Sequence, residues 1–150
     1  MAMKNEFITK RVQKFSWNAA DGALAKDAST SIGTLPKNSL VTGGYIDIVT
    51  ALDDADGGHN TTVAIGVTGT TGAFLAAAAV SAYTIGLRKA LLPGQQGLDG
   101  NALTAANSQT AVGATYLKNA TDVEVLLTVN NDQNVTVGKL NIFVEYIISE

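Results

Sequence analysis

Two long stretches of the chain alternate apolar and polar residues with the two-residue period of a half-buried β-strand. In the first, Leu40, Thr42, Gly44, Ile46, Ile48, Thr50 and Leu52 share one face, and Val41, Tyr45, Asp47 and Val49 share the other. Apolar groups on both faces predict a strand buried between two sheets, or between a sheet and a neighbouring subunit. Pro36 and Asn38 suit a turn ahead of it, and the acidic, Gly-containing residues 53–60 suit one after it. The return strand TTVAIGVT then puts Val63, Ile65 and Val67 on one face and small Ala64 and Gly66 on the other, so residues 35–68 read as a long β-hairpin. A close backbone approach is expected at Gly66. In the second stretch, Val123, Val125, Leu127 and Val129 share a face, residues 130–134 form a turn, and Leu140, Ile142, Val144 and Tyr146 alternate with Lys139, Asn141 and Glu145. This reads as a second long hairpin.

The remaining segments are less regular. FITKRVQKFSW, residues 7–17, fits a bulged or edge strand through Phe7, Ile8, Val12, Phe15 and Trp17. Residues 18–34 are Ala/Asp/Ser/Thr-rich and aperiodic, as in a long surface loop or arm. GTTG at 69–72 is a turn; the Ala-rich segment after it fits either a short helix or a loosely packed strand. TIGLRKALL, residues 84–92, predicts a strand ended by Pro93 and Gly94, residues 94–100 a turn, and residues 112–118 one strand within an ambiguous stretch. About seven to eight strands separated by turns predict an all-β fold, a jelly-roll-like β-sandwich. The expected organisation is an N-terminal strand and arm over residues 1–34, followed by the sandwich over residues 35–150.

Composition fits such a domain. At 150 residues, one compact core would bury roughly 70% of the surface exposed by the unfolded chain. Only 15% of residues are charged, against 46% hydrophobic, so the polar skin is largely Thr, Ser, Asn and Gly. Such a neutral skin costs less to desolvate against a partner than a Lys/Glu-rich one, which favours oligomerisation. A net charge of -3 argues against nucleic-acid binding. The single basic cluster, Lys10, Arg11 and Lys14, reads first as a solvated edge strand and second as a phosphate or capsid contact. The absence of cysteine excludes disulfides and thiolate chemistry. FLAAAAVSAY at 74–83 is half the roughly 20 apolar residues a membrane-spanning helix needs, and the N-terminus lacks the pattern of an export signal, so neither membrane insertion nor export is expected.

The search for chemistry returns little. His59 stands without a Ser or Cys partner in any recognisable motif and reads as a loop residue. Asp53, Asp54 and Asp56 are the best candidates for oxygen ligands, but no Glu follows at the spacing that closes a calcium loop, so an acidic turn is the favoured reading and no metal is assigned. GVTGTTG lacks both the dinucleotide and the phosphate-loop pattern. No carboxylate pair for glycoside cleavage stands out, and Trp17 and the 4 tyrosines read as core or interface packing before sugar platforms. Neither catalytic residues nor a cofactor are expected.

LPKNSLVTGGYIDIVTALDD, continuing through TTVAIGVTGTTGAFLAA, resembles tailed-bacteriophage virion proteins: Leu-Pro, a short turn, an apolar Val-Thr strand, an acidic Gly-containing tip and a return strand ending in Gly. The ending NNDQNVTVGKLNIFVEYI is similar to theirs, closing on an aromatic, valine-rich strand. The family comprises small capsid decoration, cement or head-fibre proteins, generally trimeric and jelly-roll-like. The resemblance implies a homotrimer that binds the major capsid protein on the outer surface of the virion, after assembly in the host cytoplasm, and bridges capsid subunits. On that reading Phe7, Arg11, Phe15 and Trp17 are candidates for docking to the capsid, and Tyr45, Ile46, Ile48, Phe143 and Tyr146 for core and subunit packing. A tail-fibre or tail-tip domain that binds host-surface glycans is the alternative, and an enzyme acting on surface polysaccharide ranks last.

Overall fold

The structure, a computed structural model, describes residues 9–86, 88–90 and 120–148. Among the described residues there are eight strands: β1 (Arg11–Asn18), β2 (Ala28–Leu35), β3 (Ser39–Asp54), β4 (Thr62–Val67), β5 (Thr70–Ala79), β6 (Arg88–Ala90), β7 (Val123–Asn130) and β8 (Val135–Ile148). They form two four-stranded sheets, ordered β1-β8-β3-β6 and β2-β7-β4-β5. Antiparallel pairs nest inside one another, β1 with β8, β2 with β7, β3 with β6 and β4 with β5. This is the strand order of a jelly roll, and the all-β sandwich is the class that the alternation predicted. The expected turn at 94–100 and strand at 112–118 lie outside the described residues.

The apolar alternation does the folding work. Val63, Ile65 and Val67 of β4 and Val125, Leu127 and Val129 of β7 face Ile46, Ile48, Leu140, Ile142 and Val144 across the sandwich, and all belong to one buried cluster. Tyr83 closes one side of it, fully buried, with its hydroxyl donating to the Val63 carbonyl at 2.6 Å.

Several sequence expectations change, and one left open is settled. Neither long "hairpin" is one: β3 pairs with β8 and β6, and β7 pairs with β2 and β4, so the 55–61 and 131–134 connections cross between the sheets. An alternating strand with a turn at its end looks the same whether its successor lies beside it or across the core, because both arrangements need one apolar face. Among the described residues a tight two-residue hairpin joins β4 to β5, with Val67 opposite Thr70 and Gly69 at φ 85° in the turn. Second, the Ala-rich stretch is strand β5 followed by a short 3-10 turn at Val80–Ala82. Gly66 makes the expected close approach: a Cβ there would lie 2.3 Å from the Thr70 carbonyl oxygen. Third, residues 18–34 contain β2, an edge strand whose period is broken by a register shift between Ser31 and Gly33.

Residues 11–35, expected as a strand and arm ahead of the sandwich, supply one strand to each sheet. Phe15 and Trp17 of β1 and Leu35 of β2 are core residues. Between these strands Leu24 is fully buried and exchanges two backbone hydrogen bonds with Val135. The face assignment of β3 also shifts at its start, where a bulge between Val41 and Gly43 buries Val41 in place of Leu40.

Truncating Phe15 or Trp17 to Ala is expected to cost about 3–5 kcal/mol, whereas Val12→Ala, on the same strand but at 58% exposure, should stay within about 0.5 kcal/mol. Urea unfolding of the three variants checks this, and equal losses would contradict the packing of β1.

Candidate functional site

On the outer face of the β1-β8-β3-β6 sheet, strand register lines up side chains from three strands. Lys14 stands opposite Phe143, and Phe143 opposite Tyr45. The Tyr45 and Phe143 rings stack with centroids 4.5 Å apart at 17°, and Lys14 Nζ lies 5.9 Å from the Phe143 centroid. Such a stack contributes roughly 0.5–1.5 kcal/mol beyond the area it buries. One row nearer the start of β1, Val12 stands opposite Glu145 and Glu145 opposite Gly43, and Lys10 Nζ reaches Glu145 at 2.5 Å. One row further on, the Ser16 hydroxyl donates to Asn141 Oδ1 at 2.8 Å. The result is an apolar and aromatic strip flanked by lysines, with Tyr45 at 40% exposure.

This face divides the predicted site residues. Tyr45 and Phe143 lie on it, available to a partner. Ile46, Ile48 and Tyr146 point inward and pack the core of their own chain. Phe15 and Trp17 do so too, with Trp17 Nε1 donating to the Gly22 carbonyl, so their burial withdraws them from the surface docking role expected of them. Arg11 is exposed at the start of β1, and Phe7 lies outside the described residues. The period-2 pattern of β1 carried the signal: Phe15 and Trp17 share parity with each other, and Val12 and Lys14 take the opposite, solvent-facing parity.

The far end of β3 carries the acidic tip. Asp54 is buried, and its carboxylate accepts the backbone N–H groups of His59 and Thr61 at 3.3 and 3.4 Å. Burial pushes its carboxyl up, but hydrogen bonds from the Thr61 side chain and from those two backbone N–H groups outweigh burial and hold it below the usual carboxylate range. His59 Nδ1 lies 3.0 Å from Asp53 Oδ1, and His59 itself has a left-handed backbone, φ 59°. Asp53, Asp54 and His59 bring three potential ligand atoms within 4.8 Å of one another, fewer than the about six or more that a hard divalent cation takes. Asp56, the third carboxylate of the sequence pattern, instead caps Gly58 N–H at 2.9 Å. Asp54 commits its oxygens to backbone donors, the geometry of a turn clamp. His59 joined this cluster through a loop fold that no spacing rule encodes.

Beside the tip, an open groove of about 550 Å³ runs between the end of β3, the Val80–Ala82 turn and β8. Leu52, Val80, Ile85 and Val137 give it an apolar lining, with Asp53 and His59 at its rim. Ile85 and Val137 are exposed at 70% and 46%.

A carboxyl held below its unfolded value adds stability at neutral pH that is fully present above the unfolded value and is lost as pH falls through the folded one. Thermal stability should therefore fall in acid, and Asp54→Asn should lower it at pH 7 while flattening its acid dependence. Parallel melting curves at pH 7 and pH 3 check this; an unchanged pH slope in the variant would contradict the clamp. No protein-family model matches the chain, and no curated protein does. Two solved structures share its fold: a chain of the Cyanophage Pam1 capsid asymmetric unit, at TM-score 0.62 and 16% identity over 99% of this chain and 92% of that one, and a chain of the capsid of Ralstonia phage GP4, at TM-score 0.58 and 16% identity over 100% and 91%. At such identities the likeness is one of fold, and it extends over nearly the full length of each chain, β1 and β2 included.

Proposed function

We propose that this chain is a virion structural protein of a tailed bacteriophage, a decoration or cement protein that binds the major capsid protein on the outer surface of the head and stabilises the shell by bridging its subunits. The observation that carries this reading is the end-to-end likeness of fold to chains in two phage capsids. The motif resemblance over residues 35 to about 80 and 122 to 148 supports it independently. The role is one of binding rather than catalysis, performed by a rigid sandwich that displays surfaces.

The mechanism is multivalent. A homotrimer presents three copies of each surface, so contacts that are weak singly act together through high effective concentration. The strip of Val12, Lys14, Phe143 and Tyr45 is the surface offered, because it combines aromatic and apolar area with charge on a face that the described residues leave uncovered. A tail-fibre glycan binder fits this face less well. Sugar platforms present a flat ring face to the ligand, and here Tyr45 and Phe143 each give one face to the other.

Purified protein is expected to co-sediment with heads that lack it, to leave isolated tails unbound, and to raise the temperature at which those heads release their genome. Binding to tails alone would favour the glycan reading, and binding to neither would contradict the proposal.

A further inference from the structure

At the end of the sandwich that carries the acidic tip, four connections take the chain from one sheet to the other. They are residues 19–27 from β1 to β2, residues 55–61 from β3 to β4, the connection from β5 to β6 that begins with the Val80–Ala82 turn, and residues 131–134 from β7 to β8. Far apart in sequence, they are tied together by hydrogen bonds. Leu24 in the first exchanges two backbone bonds with Val135, which directly follows the last. The Lys26 N–H donates to Asn134 Oδ1 at 2.9 Å. The Asn134 carbonyl accepts the Ala55 N–H at 3.0 Å, which joins the second connection to the last. Thr61 makes that link again at the other end of the second connection: its hydroxyl donates to the Gln133 carbonyl at 3.4 Å and accepts the Gln133 N–H at 3.2 Å. Its carbonyl accepts the Val80 N–H at 2.9 Å, which brings in the third.

Two properties favour all-or-none opening of this network. Thr61 is fully buried, so withdrawing residues 131–134 alone leaves a buried hydroxyl unpaired, which costs more than the bond itself contributes. The connections also hold residues other than glycine in the left-handed region, Asp27 at φ 52°, His59 at 59°, Asn131 at 68° and Asp132 at 41°. Such backbone persists where its surroundings over-determine it. Freeing one connection removes constraints on the next and lets its strained residues relax.

We propose that the four connections form one latch that opens and closes as a unit, with Thr61 and Asn134 as its pins. The groove belongs to the same unit, because the Val80–Ala82 turn that walls it hangs on the Thr61 carbonyl, and Asp53 and His59 form its rim. This end of the sandwich opens at a lower free energy than global unfolding requires, while the sheets stay paired. The device belongs to the fold and is independent of what the outer face binds.

Amide exchange measured residue by residue by NMR on the full chain tests the coupling. In the wild type under low denaturant, the amides of Leu24, Lys26, Ala55, Thr61, Val80 and Gln133 should converge on one opening isotherm, below that of Ile65 and Leu127 at the centre of their sheet. Thr61→Val should speed exchange at least tenfold at Leu24 and Lys26, which the Thr61 hydroxyl does not touch. Asn134→Ala should do the same at Thr61 and Val80. Thr61→Ser keeps the hydroxyl and should exchange as the wild type does. Asn18→Ala removes a cap on the Ala20 N–H that lies outside the network, and should leave Thr61 and Val80 unchanged. Scattered isotherms in the wild type, losses confined to the groups each substitution touches, or equal losses in Asn18→Ala would overturn the latch.

Discussion

The position of β8 between β1 and β3 is the constraint on which the rest of the structure depends. β8 pairs along most of its length with both neighbours, so the chain's beginning and end are locked into one sheet. That pairing aligns Phe15, Trp17, Ile46, Ile48, Leu140, Ile142, Val144 and Tyr146 on one inner face, opposite the valines and leucine of β7 and the valines and isoleucine of β4. The same register lays Lys14, Phe143 and Tyr45 side by side on the outer face. Core and exposed strip are thus two consequences of one alignment, and a slip of one residue would exchange them.

The all-β class and the inward residues of β4, β7 and β8 were legible in the sequence because each keeps a strict two-residue period. Which strand lies beside which was not. Asp53 to Thr61 and Asn130 to Val135 have the composition of hairpin turns but carry the chain from one sheet to the other, and partner choice is a property of the whole core. β2 has no signature in the sequence because Ser29, Thr30 and Ser31 give an edge strand no apolar period and the shift between Ser31 and Gly33 breaks what remains. Among the site residues, Tyr45 and Phe143, candidates for subunit packing, stand on the surface where a neighbouring subunit could reach them, while Phe15 and Trp17, candidates for docking, pack the core. Aromaticity alone does not separate these roles; parity along β1 and β8 does. The His59 contact with Asp53 had no linear signal, since it depends on a left-handed residue in a loop.

What the molecule offers chemically follows from this architecture. The buried Asp54 carboxylate accepts from the His59 and Thr61 amides and holds a connection between the sheets in shape. The buried Tyr83 hydroxyl is spent on the Val63 carbonyl, and burial pushes that phenol well above its ordinary range. The features turned toward solvent are of another kind: an aromatic strip beside lysines and an apolar groove beside carboxylates. On the proposed reading these are the features used for contact, carried on a fold shared with chains of two phage capsids.

The central claim is that this sandwich is a structural part of a phage head. A cryo-electron microscopy reconstruction of the particle that carries it tests this most directly. The account predicts density for an eight-stranded jelly roll on the outside of the head, repeated by local threefold symmetry, with the Tyr45 and Phe143 face against protein. A fully decorated head without such density, or the sandwich found only along the tail, would contradict it.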